Sequence, residues 1–434
     1  MNYKVVGGKA LSGEVTTNIS KNAAVVVLAA SLLNKGTTTL RKMPHIEEVN
    51  RLVEVLKSIG VSVEWVGADI VITPPPALNL ANIDRKAAER TRSIALFAAP
   101  LAHLLSAFDL PAPKGCDLGK RSLGAHIDAL ARLGINLEGN EEAHSYHIEV
   151  SEKRPREIIM YEASDTGVEN VLMAAAKIPG ETTIKFASAN YMVQDLCFFL
   201  EKCGVRIEGI GTTTLVVHGV EDINAAIEYA PSEDPIESMF FIALAATTKS
   251  EITVKRCPID FLELELATLW SMGVRHTRSA EYTAENGHTR LIDITVKKAD
   301  SLNAPPEKIA PRPYPGINID NLPFFVPVAS QAQGTTLVHD WVYEGRAQYY
   351  MLMRELGANM QQLDPHRVEI TGPTKLHSVE IDSPPALRPA TMLLIGMLAA
   401  EGVSVLRDVY PINRGYERLH ERLKAIGAEI EAIE

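Results

Sequence analysis

Residues 113–121 read "PKGCDLGKR", which places Cys116 in a glycine-rich polar stretch beside Lys114, Lys120 and Arg121. Free cysteine usually behaves as a small buried hydrophobe, and these neighbours build no core around it. Nearby cations stabilise a thiolate and lower its pKa from about 8.5. Cys116 is therefore a candidate proton carrier or nucleophile, the plainer reading being an incidental surface thiol. No second Cys or His stands at metal-ligand spacing, so no metal site is expected. Lys21 and Asn22, in "SKNAAVVV", precede an apolar run. A helix N-terminus attracts anions and a lysine there adds a full charge, while Ser20 is suited to cap the same helix. Arg92 ("RTRS"), Arg346 ("YEGRAQ"), Arg388 ("PPALRPA") and Arg414 ("INRGYE") each stand at a turn or helix start. Any one alone reads as a surface arginine. Several converging at equivalent edges would hold an anion, because guanidinium forks match carboxylate and phosphate. Asp320, in "YPGINIDNLP", is either a helix N-cap or a carboxylate able to take a proton from a hydroxyl.

The elements that must position these residues recur along the chain. Six segments share one pattern: an Ala-rich stretch, a turn, a short β-branched strand, a linker, an amphipathic helix closing on glycine, and another strand. "AASLLNKGTTTLRKMPHIEEVNRLVEVLKSIGVSVEW" and "AAEGVSVLRDVYPINRGYERLHERLKAIGAEIEA" are two clear copies. The closing glycines are Gly60, Gly134, Gly204, Gly273, Gly357 and Gly427. Their spacing of about 70 residues exceeds a solenoid unit, so each copy reads as a small α/β subdomain. Ile46, Val49, Val53, Leu56 and Ile59 fall on one helical face, and Gly60 fits the left-handed position that ends a helix. "VSVEW" alternates as a strand should. "SIALFAAPLAHLL" is apolar nearly all round, which predicts a helix at the centre of its domain. Six units suggest two domains of three, with a boundary near "EYAPSEDP" (228–235). The N-terminal "NYKVVGGKALSGEVTT" reads as strand–turn–strand that can pair with either. Cys197, Cys203 and Cys257 lie in apolar helical or strand contexts and read as core.

The 434 residues are 46% hydrophobic and 22% charged, enough for a large core and more than one compact domain holds. The apolar runs 23–33 and 391–400 are too short to span a bilayer, and the N-terminus carries no export pattern. Four cysteines make no disulfide framework in so long a chain, so a reducing cytoplasm is expected. A net charge of −11 with no basic run argues against nucleic acid as a partner.

Together these pieces resemble the enolpyruvyl transferase family over nearly the whole chain, through "GGKALSGEV", "KNAA", the GC-x-LG-x-R of residues 115–121, the YPG and Asp of 314–320, "HDWVYEGR" and "NRGYERLHERLKAIGA". The resemblance implies a two-domain inside-out α/β barrel, each domain three α/β units in pseudo-threefold arrangement with helices central and sheets outside. It places the N-terminal domain at 21–230 and the C-terminal domain at 1–20 with 231–434, the active site in the cleft between them. It implies transfer of the enolpyruvyl group of phosphoenolpyruvate to the 3′-hydroxyl of UDP-N-acetylglucosamine by addition and elimination, without a cofactor. These two small molecules are the expected partners; protein partners are not indicated. By the same resemblance, Cys116 matches the loop cysteine that protonates the enol carbon or assists product release, and that fosfomycin alkylates. Asp320 matches the carboxylate near the attacking hydroxyl. Lys21, Arg121 and Arg414 match the phosphate-binding cations, Arg346 and Arg388 the carboxylate clamp, and Arg92 a further active-site arginine. Asn22 matches the asparagine that touches the sugar, and Val342 a further contact of the nucleotide sugar.

The nucleotide pocket departs from the pattern more than the reacting centre does. Ser122, Leu123, Gly124 and Ala125 stand where the family has Pro-Val-Asp-Leu around the uracil, with His126 retained. Ser164, Asp165 and Thr166 replace Ser-Val-Gly at the pyrophosphate, which puts an acid beside a diphosphate. Ile19 replaces a glycine before Lys21, and Ala386 an aspartate two residues before Arg388. Enolpyruvyl transfer to shikimate 3-phosphate or to a UMP-type nucleotide, and a non-catalytic nucleotide-sugar-binding paralogue, stay open on these residues.

Overall fold

The computed structural model describes residues 1–112 and 123–434; Cys116, Arg121 and Ser122 lie outside the described residues. The apolar helices gather in two central clusters. One packs Lys21–Ala30 and Asp165–Ala176 on Tyr191–Lys202. The other packs Pro235–Thr247, Phe325–Ser330 and Leu387–Ala399 against one another. All thirteen residues of Pro235–Thr247 are buried, as a helix apolar on every face requires. Six sheets among the described residues surround these clusters. In five of them an edge strand joins in parallel: Ser12–Thr16 on Glu251–Pro258, Ile227–Tyr229 on Thr38–Leu40, Glu157–Ile159 on Gly180–Lys185, Leu302–Asn303 on Ala332–His339, and Glu380–Asp382 on Gly402–Arg407. The result is a two-domain α/β fold with helices inside and sheets outside.

The closing glycines Gly60, Gly134, Gly204, Gly273, Gly357 and Gly427 all have φ between 85° and 100°. Only a residue without Cβ adopts that region freely, so each copy ends its amphipathic helix with the same turn. Both N-terminal strands pair with strands from the second half of the chain. Asn2–Gly7 lies between Gly402–Arg407 and Glu429–Ile433, and Ser12–Thr16 joins Glu251–Pro258. The chain passes between the clusters near residue 19 and again near 233, and the passages run side by side: Ser20 N–H donates to Ser232 O at 2.8 Å and Asp234 N–H to Asn18 O at 2.8 Å.

One element differs from its sequence reading. Residues 93–105 are not one α-helix: a 3₁₀ turn, Arg92–Phe97, is followed by a short α-helix, Ala98–Leu101. Pro100 has no N–H for the carbonyl four residues back and its ring crowds that carbonyl, so it is tolerated only in a helix's first turn. Cys197, Cys203 and Cys257 are buried, as core thiols.

Candidate active site

A cavity of about 830 Å³ lies between the two clusters. Its wall collects helix beginnings. Lys21, Arg92 and Asp165 are the first residues of their helical segments and Arg388 the second of its own. Four helical N-termini thus face one space, and their unpaired N–H groups favour an anion there.

Arg346 and Arg388 are not surface arginines: they are 1% and 5% exposed. Arg346 Nε donates to Asp340 Oδ2 at 2.5 Å, Tyr350 Oη donates to the same oxygen at 2.6 Å, and the guanidinium lies 4.5 Å from the Tyr343 ring. Arg388 Nη1 donates to Tyr416 Oη at 3.0 Å. Asp320 lies between the two, 3.5 Å from Arg388 Nε and 3.8 Å from Arg346 Nη1. It caps no helix; Asn321 holds the cap position of the turn that follows. The Nη2 groups of both arginines are buried without a hydrogen-bond partner among the described residues. A buried donor left unpaired is costly, so this pair is arranged for an anionic ligand.

Lys21 sits beside them. Burial lowers its pKa, the Glu48 carboxylate opposes that, and Arg388 and Arg414 push it down again. Glu48 is 3% exposed. Burial would raise its pKa, but Lys21 and Arg414 outweigh this and hold it below the ordinary range. Arg414 donates from Nη2 to Glu48 Oε2 at 2.9 Å, joining the two walls. Arg414 ends the helix Tyr410–Asn413 rather than starting one, because the helix begins at Tyr410 before Pro411.

The opposite wall carries the segment flagged for its acid. Ser164 caps its helix by accepting from Gly167 N–H at 3.2 Å. Thr166 Oγ1 lies 3.1 Å from His126 Nε2, and Asn170 Nδ2 donates to His126 Nδ1 at 2.8 Å. Asp165 accepts from Asn190 Nδ2 at 3.1 Å and from the Ser188 hydroxyl. Asn22 Nδ2 donates to Tyr191 Oη at 2.9 Å. Val342 and Leu123 also line the cavity, whereas Gly124 and Ala125 do not. They open the helix Gly124–Arg132, and Ala125 packs into the core at 3% exposure.

Of the candidate residues within the described part, the cavity brings together Lys21, Asn22, Arg92, Leu123, Ser164, Asp165, Thr166, Asp320, Val342, Arg346, Arg388 and Arg414. Ala386 starts the Arg388 helix with no side-chain cap. Sequence reasoning missed Glu48, Asp340 and Glu169. Asp340 stands in "HDWVYEGR" six residues before the arginine it holds, which was the available signal. Glu169 is 2% exposed, lines the cavity and has one oxygen unpartnered among the described residues.

A two-domain α/β chain whose cleft gathers helix N-termini and buried arginines around one carboxylate is built as an anion-handling enzyme of the enolpyruvyl transferase kind. The chain belongs to the EPSP synthase (3-phosphoshikimate 1-carboxyvinyltransferase) family, whose model matches residues 5–423. It is 30% identical to the UDP-N-acetylglucosamine 1-carboxyvinyltransferase of Bradyrhizobium diazoefficiens over 99% of this chain and 98% of that protein. It is 31% identical to the protein of the same name from Treponema denticola, over 100% and 99%. Among solved structures, the enolpyruvyl transferase NikO from Streptomyces tendae superposes with a TM-score of 0.85 at 22% identity, covering 99% of this chain and 98% of that one.

Proposed function

We propose that this chain transfers the enolpyruvyl group of phosphoenolpyruvate to the 3′-hydroxyl of UDP-N-acetylglucosamine and releases inorganic phosphate, the first committed step of peptidoglycan synthesis. The observation that carries it is the buried pair Arg346 and Arg388, each with an Nη2 lacking a partner among the described residues, on either side of Asp320. Phosphoenolpyruvate presents a carboxylate and a phosphate, and the two arginines fit the carboxylate. Lys21, Arg414 and Arg121 take the phosphate, and Arg92 adds charge nearby. Asp320 removes the proton of the acceptor hydroxyl as its oxygen adds to C2. C3 gains a proton from Cys116. The methyl group then returns its proton to Cys116, the C2–O bond to phosphate breaks, the proton held by Asp320 leaves with the phosphate, and the enol ether remains. The cations stabilise charge on the departing phosphate. Asn22, Val342, residues 122–123, Ser164 and Thr166 border the acceptor.

This reading uses 21–230 as one domain and 1–20 with 231–434 as the other; the pairing of both N-terminal strands with C-terminal strands supports it. It sets the protein in the cytoplasm. In its support, Cys197, Cys203 and Cys257 are free buried thiols, as a reducing compartment maintains. No helix among the described residues is long and apolar enough to cross a membrane.

A second reading keeps the transfer and changes the acceptor. Glu162, exposed on the cavity wall beside Ser164, favours an acceptor with less phosphate charge, such as a UMP-type nucleotide. Phosphate release from phosphoenolpyruvate with a panel of acceptors decides between them. Release with UDP-N-acetylglucosamine is expected. Release only with shikimate 3-phosphate or UMP overturns the first reading.

A further inference from the structure

Among the described residues, one line of hydrogen bonds runs from the loop of Asp320 across the cleft to Asp165. Asp320 N–H donates to Asn318 Oδ1 at 2.9 Å. Asn318 Nδ2 donates across the cleft to Asn190 Oδ1 at 3.3 Å. Asn190 Nδ2 donates to Asp165 Oδ2 at 3.1 Å, and the Ser188 hydroxyl donates to the other oxygen of Asp165. The orientation of both amides is fixed from the ends. Asn318 Oδ1 faces a backbone N–H that can only donate. Asn190 Oδ1 also accepts from Tyr191 N–H at 2.9 Å, which turns its NH₂ toward a carboxylate that only accepts when ionised. Every donor therefore points toward Asp165, and bonds aligned head to tail strengthen one another. Glu265 holds the far end by accepting from Asn318 N–H and Asn321 Nδ2, each at 2.9 Å.

We propose that Asp165 is a positioning residue, not a diphosphate contact: through Asn190 and Asn318 it ties the first helix cluster to the loop bearing Asp320 and sets where that carboxylate stands. This accounts for an acid at a point where a diphosphate-binding segment has no use for one. It rests on the functional reading above for the role of Asp320, and on geometry alone for the latch. The three members lie on different stretches of chain, 165, 190 and 318, and only the fold brings them together.

Two readouts test it. In steady-state kinetics, Asp165→Val and Asn318→Ala each lower kcat about tenfold, the upper end of what one hydrogen bond contributes net, with KM for both substrates within about twofold. The double variant is no worse than either single one, because both cut the same line. Asp165→Asn restores most of the turnover: its carbonyl accepts from Asn190 and its amide donates to Ser188 Oγ. An unchanged kcat with a raised acceptor KM in Asp165→Val overturns the proposal, as do additive losses. Hydrogen exchange of the Asp320 amide in the ligand-free protein is the second readout. Faster exchange in Asp165→Val, with wild-type exchange in Asp165→Asn, is expected; unchanged exchange in Asp165→Val overturns the latch. A wild-type protein that transfers no enolpyruvyl group refutes the functional reading, and the exchange measurement still decides the latch.

Discussion

Lys21 shows how one residue's chemistry is set by its company. Burial and two arginines disfavour its charge, and Glu48 is the largest influence that sustains it. Asp320 also sustains it, and Glu169 lies within electrostatic reach. Removing the Glu48 carboxylate lowers the lysine pKa further. A phosphate-binding lysine must stay protonated, so activity fails once pH rises through that pKa. In Glu48→Gln the alkaline limb of kcat/KM for phosphoenolpyruvate is therefore expected at lower pH than in wild type; pH profiles of the two proteins check it. Arg388→Ala leaves a desolvated anion unpaired, a loss of about 2–5 kcal/mol, so kcat/KM falls about 30-fold or more. Near wild-type kinetics would put Arg388 outside the chemistry. These arginines were legible in the sequence as candidates, since Gly and Pro neighbours mark turns. Glu48 was not: it follows Glu47 at the head of an amphipathic helix, where an acid ordinarily faces solvent. It is held by Thr91, by Ser93 and by Arg414, 366 residues away, and no local pattern encodes those contacts.

Helix first turns deliver Lys21, Glu48 and Arg388, and a helix end delivers Arg414. Local signals described such elements well where one physical rule governs. The helix Glu47–Ser58 and its closing Gly60 follow from periodicity and from one backbone conformation. In the segment 93–105 apolar content suggests one helix, but Pro100, whose missing N–H breaks the ladder, splits it. The contact between the helices Gly124–Arg132 and Asp165–Ala176 was not legible at all, and His126 bonds across it. That ring is 4% exposed, accepts from Asn170 at Nδ1 and so carries its proton on Nε2 toward Thr166. Burial first, and Arg92 second, lower its pKa from 6.5 to about 4. An unfolded chain binds that proton more readily than the folded one. The contribution to stability is thus complete above pH 6.5 and is lost as pH falls from 6.5 toward 4. At pH 5 the loss is about 2 kcal/mol. His126→Gln can keep both hydrogen bonds and does not titrate. Urea unfolding at pH 7 and pH 5 should show a drop smaller in the variant by about that amount. His103, lowered in the same direction, is common to both proteins and cancels.

At the scale of the molecule, the two helix clusters are joined by two passages of chain that are themselves paired, through Ser20 to Ser232 and Asp234 to Asn18. The walls also touch through Arg414 and Glu48, Asn190 and Asn318, and the rings of Phe198 and His288, stacked 4.0 Å apart. Any change in the separation of the walls turns about the paired passages, so their stiffness sets how often these other contacts form. Ile19 lies between the two pairing bonds, opposite Glu233. A β-branched side chain holds the backbone near extended geometry; the family's glycine at this point would not. Ile19→Gly should cost about 1 kcal/mol of stability, since glycine loses more conformational freedom on folding. The larger consequence is expected in shape. A looser passage lets the ligand-free walls separate, so small-angle scattering should give the variant a larger radius of gyration than wild type. Saturating phosphoenolpyruvate with UDP-N-acetylglucosamine should bring the two proteins to the same value, because ligands that bridge both walls favour the approached state by mass action. Equal radii without ligand would mean that the other contacts alone hold the walls together, and that Ile19 stiffens nothing.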